Sequence, residues 1–281
     1  MPVDIQSDRV ILKHPKGPSA EILFYGASVI SWKSGSVTSP EPVERLFTSA
    51  KAALDGSKPV RGGIPVVFPC FGPPTHPDHA KLPQHGFARN NVWTYNATVM
   101  DNEAGVSVRL ILGPNAYASI KEQYAHPFEL AYVVTLAEHE LCTNLHVQNT
   151  ALSTTPAMEF QALFHNYIRA PANDVRVSPL LGLSYYDKTE ATEEARTTAK
   201  KETREGVDVL KFTDSVYEDA PGRYEVLWGT GGIEVVTKNL KDVVVWNPQA
   251  EAGSKIGDME AGGWLEAGEK WIGQQVLKVK L

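Results

Sequence analysis

Apolar and polar residues alternate along much of this chain with a period of two, the spacing of a strand that buries one face. In GVSVRLIL, Val106, Val108, Leu110 and Leu112 fall on one side. In FELAYVVTL, Phe128, Leu130, Tyr132, Val134 and Leu136 do the same. NLHVQN, RYEVLW, GIEVVTK, DVVVWN and QQVLKVKL repeat the pattern, and GTGG at Gly229–Gly232 separates two such runs as a hairpin turn. Helical spacing is rare. FTSAKAALDG predicts one short helix ending at Gly56. TEATEEARTTAKKETREG sets Ala191, Ala195 and Ala199 at helical spacing but offers nothing large to bury, and reads as a charged, exposed excursion. No internal repeat and no linker divides the chain. The expectation is an all-β antiparallel sandwich forming a single domain over residues 1–281.

Composition adds limits. A chain of 281 residues, 42% apolar and 21% charged, can bury a substantial core. Its formal net charge of -6 argues against nucleic acid or an anionic membrane as partner, while leaving room for a local basic pocket. Cys70 and Cys142 stand far apart, so no disulfide framework is expected, and no CxxC or Cys/His cluster suggests structural zinc. The first residues lack the apolar run of a secretion signal, and no stretch approaches the about 18 apolar residues of a membrane helix. A cytoplasmic, monomeric protein is the resulting expectation.

Two dense stretches fit no ordinary strand. In LPQHGFARNNVW, Gly86 permits a sharp turn after His85 and Phe87 can anchor the segment, leaving Gln84, His85 and Arg89 on a fixed scaffold. In RGGIPVVFPCFGPP, Arg61 precedes two glycines, and Pro65, Pro69, Pro73 and Pro74 stiffen the rest of the stretch. Two arginines held this way suit a phosphate or carboxylate; the alternative is that each bridges a structural carboxylate. MEFQALFHNYIRA reads as an apolar strand with one histidine, His165, either a satisfied core residue or a general acid-base group. His76, His79 and His85 are close in sequence, but intervening prolines and the lack of a helical pair argue against a metal site.

Taken in order, RGGIPVVFPCFGP, LPQHGFARNNVW, ALFHNYIRA, FTDSVY and VVVWNP resemble the glucose-6-phosphate 1-epimerases, the hexose-6-phosphate mutarotases of the aldose 1-epimerase-like group. The resemblance runs from about Ala20 to Pro248 and resumes near GEKWIGQQVL. It implies a galactose-mutarotase-like β-supersandwich and interconversion of the α and β anomers of a hexose 6-phosphate, with no organic cofactor and no metal. Residue by residue, it implies that His165 is the catalytic histidine, able when protonated to supply the ring-oxygen proton, that Arg61, Gln84, Arg89 and Asp214 contact substrate, and that His85 holds the sugar. The family's catalytic glutamate lies on a strand after the WNP motif. Here the text shortens to WNPQAEAGSKIGDMEAGGWLEAGEKW, and a deletion is expected near residues 264–266. Either WLEAG stands for that strand and Glu266 is the base, or LEAGEKW is the closing loop and the base is absent. Three functions stay open: a hexose-6-phosphate 1-epimerase, a non-catalytic sugar-phosphate binder, and an epimerase of unphosphorylated aldoses.

Overall fold

The computed structural model describes residues 1–152, 157–229, 231–248, 263–265 and 270–280. Its largest layer is a nine-stranded antiparallel sheet. The strands run in the order Val207–Asp208, Arg176–Ser178, Arg223–Trp228, Gly231–Lys238, Lys270–Lys280, Glu140–Asn149, Phe128–Leu136, Gly105–Leu112 and Thr94–Asn102. Register explains why one face closes on the core. Val106 stands opposite Leu136, Val108 opposite Val134, Leu110 opposite Tyr132 and Leu112 opposite Leu130. On the next strand Leu141, Leu145 and Val147 face Leu136, Tyr132 and Leu130. All of these side chains are at most 2% exposed. Each fully buried aliphatic side chain of this size contributes about 1.5–3 kcal/mol.

That face meets a five-stranded meander of Val3–Ile5, Arg9–Lys13, Ser19–Leu23, Val29–Ser34 and Val43–Glu44. Val10, Leu12, Ile22 and Trp32 from the meander join the large sheet's apolar face in a single buried cluster. A four-stranded sheet of Lys200–Lys201, Ser184–Asp187, Thr213–Tyr217 and Val243–Asn247 adds a further wall. The antiparallel strand-rich class expected from the alternation is what forms.

Three local expectations change. No helix forms over 47–56. Phe47 N–H donates to the Tyr167 carbonyl (2.8 Å) and Ser49 N–H to that of Arg61 (3.0 Å), so cross-chain pairing wins over local helix propensity. MEFQALFHNYIRA is a broken edge, with strands only at Met158–Phe160 and Leu163–Phe164. The charged stretch over 189–206 carries a short helix, Glu193–Thr197, where Thr192 Oγ1 accepts from Ala195 N–H at 3.2 Å. It is not wholly exposed, because Glu202 is 3% exposed.

Glu202 shows what such burial requires. Arg204 Nε and Nη2 donate to its two oxygens at 2.9 and 2.8 Å, Tyr217 Oη donates at 2.6 Å, and the Thr203 and Arg204 amides donate at 2.9 Å. Burial opposes the charge, but these donors outweigh it and hold the carboxyl at about 2. A depressed carboxylate stabilises the fold above its unfolded value of 4.5 and loses that contribution as pH falls toward about 2. Glu202→Gln is expected to cost about 3 kcal/mol at neutral pH, measured by urea denaturation, with the gap to wild type closing as the pH falls through that window.

Candidate active site

One segment, residues 61–72, organises the site through backbone hydrogen bonds to two other segments. On one side the Tyr167 amide donates to the Gly63 carbonyl at 2.9 Å, His165 to Pro65 at 3.1 Å and Gln161 to Pro69 at 2.7 Å. On the other side Phe87 and Ala88 donate to the Phe68 carbonyl at 3.1 and 3.3 Å. Gly86 makes this second crossing possible. Its φ is +68°, and a Cβ there would lie 2.2 Å from the Phe68 carbonyl oxygen. Phe87, 2% exposed, packs edge-on to Phe68 with ring centroids 5.7 Å apart, anchoring the corner.

His85 shares the left-handed backbone, with φ 68°. Such a conformation costs a non-glycine residue free energy and persists only where its surroundings fix it. Here the His85 amide donates to the Gly72 carbonyl at 2.9 Å, and the Gly72 amide donates back to His85 Nδ1 at 3.1 Å. With Nδ1 accepting, the neutral ring carries its proton on Nε2.

These crossings gather Arg61, Gln84, His85, Arg89 and His165 around one cavity of about 320 Å³, and Asp214 joins its lining from the four-stranded sheet. Glu266, with the deletion expected beside it, lies outside the described residues; the strand Gly263–Leu265 before it pairs with Met158–Phe160, Leu265 opposite Met158. Arg89 Nη2 donates to the Gln84 carbonyl at 3.0 Å. Among the described residues neither Arg61 nor Arg89 is paired with a carboxylate, so the structural-bridge alternative finds no partner there. Asp214, 4% exposed, sits on Thr213–Tyr217 directly opposite Trp246. His76 and His79 are not among the cavity's lining residues, and no group able to hold a metal ion occurs among the described residues.

His165 comes directly after the short strand Leu163–Phe164 and stacks on Tyr167, centroids 4.6 Å apart and planes 15° apart. Trp246 meets it edge-on at 5.6 Å. Burial lowers its basicity first, and the cationic Arg89 and Arg61 add to that, bringing it to about 4. Burial, with Arg89 and His165, takes His85 to about 3. Both rings are therefore held neutral at neutral pH. Tyr167, Trp246, Asn166, Asn247 and Phe71 also line the cavity, and sequence reasoning does not single them out. Trp246 and Asn247 stand inside VVVWNP, where an aromatic next to a polar residue at a strand end is the available signal.

The chain is thus a mostly antiparallel β structure with one cavity in which charged groups stand on a largely apolar lining. The aldose 1-epimerase family model matches residues 8–270, and the chain belongs to that family. A relative from Cenchrus ciliaris named "Putative glucose-6-phosphate 1-epimerase" is 31% identical over 297 residues, covering 96% of this chain and 84% of its own. Among solved structures, a "putative mutarotase" from Salmonella typhimurium superposes with TM-score 0.77 at 22% identity, covering 99% of this chain and 92% of its own. A galactose mutarotase related enzyme from Lactobacillus acidophilus gives 0.74 at 16% identity, with 96% of each chain covered. The fold is thus galactose-mutarotase-like, and the chain is a sugar epimerase or mutarotase, an isomerase acting on a small-molecule sugar. No helix among the described residues is long and apolar enough to cross a membrane.

The depressed histidines set a pH dependence. A histidine held neutral in the fold but protonated near 6.5 when unfolded makes the unfolded state bind more protons below that pH. Stability should fall as pH drops from about 6.5 toward about 4. Replacing His165 with Asn should lower the proton uptake on unfolding in that window by about one, read from urea midpoints across the pH range.

Proposed function

We propose that this chain is a hexose-6-phosphate 1-epimerase that interconverts the α and β anomers of glucose 6-phosphate. The observation that carries this reading is the pair of guanidinium groups, Arg61 and Arg89, lining the same cavity as His165 and Asp214 with no carboxylate on either among the described residues. A phosphate brought to them gains charge-assisted, geometrically matched hydrogen bonds. The "glucose-6-phosphate" in the relative's name points the same way.

Anomerisation moves only protons and one carbon–oxygen bond. The proton of the anomeric hydroxyl leaves, the C1–O5 bond breaks, and O5 takes up a proton to give the open aldehyde. Rotation about C1–C2 and the reverse steps close the ring on the other face. His165 exchanges the proton at the ring oxygen. Burial first, and then the two arginines, hold its basicity down. A bound phosphate offsets those cations, the smaller part of the shift, and so raises the basicity of the imidazole part of the way. Asp214 accepts hydrogen bonds from sugar hydroxyls. Asp214 and Asp242 are the carboxylates lining the cavity among the described residues, and Glu266 is the further carboxylate proposed as base. Tyr167, with one face against His165, and Trp246, set at 79° to it, give the cavity apolar surface beside the histidine.

Substrate discrimination tests the reading. Arg61→Ala and Arg89→Ala should each raise KM for glucose 6-phosphate about 10- to 100-fold, the loss of one charge-assisted contact, with little change for glucose. His165→Asn should lower kcat by about 10² or more and leave the thermal midpoint near wild type. Equal effects on glucose and its phosphate would contradict an anion site. A rise in melting temperature with glucose 6-phosphate but no faster anomer exchange would favour the sugar-phosphate binder instead.

A further inference from the structure

The segment carrying His165 is tied on one side by the backbone bonds to residues 61–72. On its other side it has a polar link to the large sheet. Asn166 Nδ2 donates to Gln275 Oε1 at 2.7 Å, and Gln275 Nε2 donates back to Asn166 Oδ1 at 2.9 Å. Both residues line the cavity, and Gln275 is 1% exposed.

Gln275 occupies an unusual place. It lies in the middle of the strand Lys270–Lys280, between Thr143 on one neighbouring strand and Thr237 on the other. Two residues on, at the same parity, Leu277 is fully buried in the core cluster. A glutamine at such a position would cost free energy unless its amide were satisfied, and the reciprocal bond to Asn166 satisfies one donor and one acceptor on each amide. A doubly hydrogen-bonded amide pair also resists rotation better than a single bond, so it transmits the rigidity of a central strand to the residue next to His165.

We infer that the Asn166–Gln275 pair is a positioning device for His165, with Gln275 acting through Asn166 and not on the substrate. The inference rests on the mutarotase reading for its kinetic consequence, but not for its structural one. Sub-ångström displacement of an acid-base group lowers turnover without weakening ground-state binding. The pair should also behave as a unit, so that breaking it from either end costs nearly the same as breaking it from both.

The test is a double-mutant cycle in anomer exchange of glucose 6-phosphate, using Asn166→Ala, Gln275→Ala and the double variant. Each single change should lower kcat about tenfold with KM within about twofold of wild type, and the double variant should be no slower than the worse single one. Unchanged kcat, or costs that multiply, would overturn the inference. Gln275→Met, which keeps the side-chain volume, serves if the alanine variants fail to fold. Its second readout is the ¹H–¹⁵N signal of the His165 ring: displacement or broadening supports the positioning role, and an unmoved signal overturns it. Wild-type protein without exchange activity would remove the mutarotase reading alone, and the ring signal would still decide the role of the pair.

Discussion

The site depends on one backbone crossing. At Gly86 the chain passes so close to the Phe68 carbonyl that any side chain would collide, and the Phe87 and Ala88 amides close on that oxygen. The segment that supplies Phe68 also supplies the Gly63, Pro65 and Pro69 carbonyls that hold the His165 segment. Two stretches about eighty residues apart in sequence are thereby fixed to the same spine by main-chain bonds, which do not depend on flexible side chains. Arg61, at the start of the spine, completes the set. A cavity assembled on backbone geometry is preorganised, which is what an electrostatic site needs if it is to act without reorganising during reaction.

The electrostatics result from where that crossing places charge. Two guanidinium groups and two imidazoles line the cavity, and burial penalises the cationic forms of Arg89, His85 and His165. Arg89 keeps its charge because its intrinsic basicity is far higher, and the histidines give theirs up. The positive charge of the site therefore resides on its arginines, with Asp214 and Asp242 elsewhere on the lining opposing it, in a chain whose net charge is -6. A local pair of cations is what recognition of an anion requires in a chain of net negative charge.

Much of the fold is legible in the sequence because alternation reports burial directly: every second residue of Phe128–Leu136 is apolar and buried, as are Leu141, Leu145 and Val147 on Glu140–Asn149. The helix expected to end at Gly56 does not form because Phe47 and Ser49 find backbone partners more than ten residues away, and a local pattern carries no trace of them. The site residues in LPQHGFAR and RGGIP can be picked out because glycine beside histidine or arginine marks a backbone held in a special shape. Trp246 and Asn247 sit in a distinctive motif but look like the end of a strand. Gln275 is hidden differently. QQVLKVKL alternates well, and the glutamine at a core-facing position reads as noise until its partner Asn166, 109 residues away, is seen. Placement of the base stays open in the sequence because WLEAG and LEAGEKW offer two alignments, and Glu266 lies outside the described residues.

The central claim is that this geometry opens and closes the ring of a phosphorylated hexose. Saturation-transfer NMR on equilibrated glucose 6-phosphate, with glucose in a parallel sample, tests it most directly. The account predicts α/β exchange that is accelerated by the folded protein for the phosphate and much less for glucose. Exchange of the phosphate at the uncatalysed rate, in the presence of protein shown to be folded by circular dichroism, would contradict it.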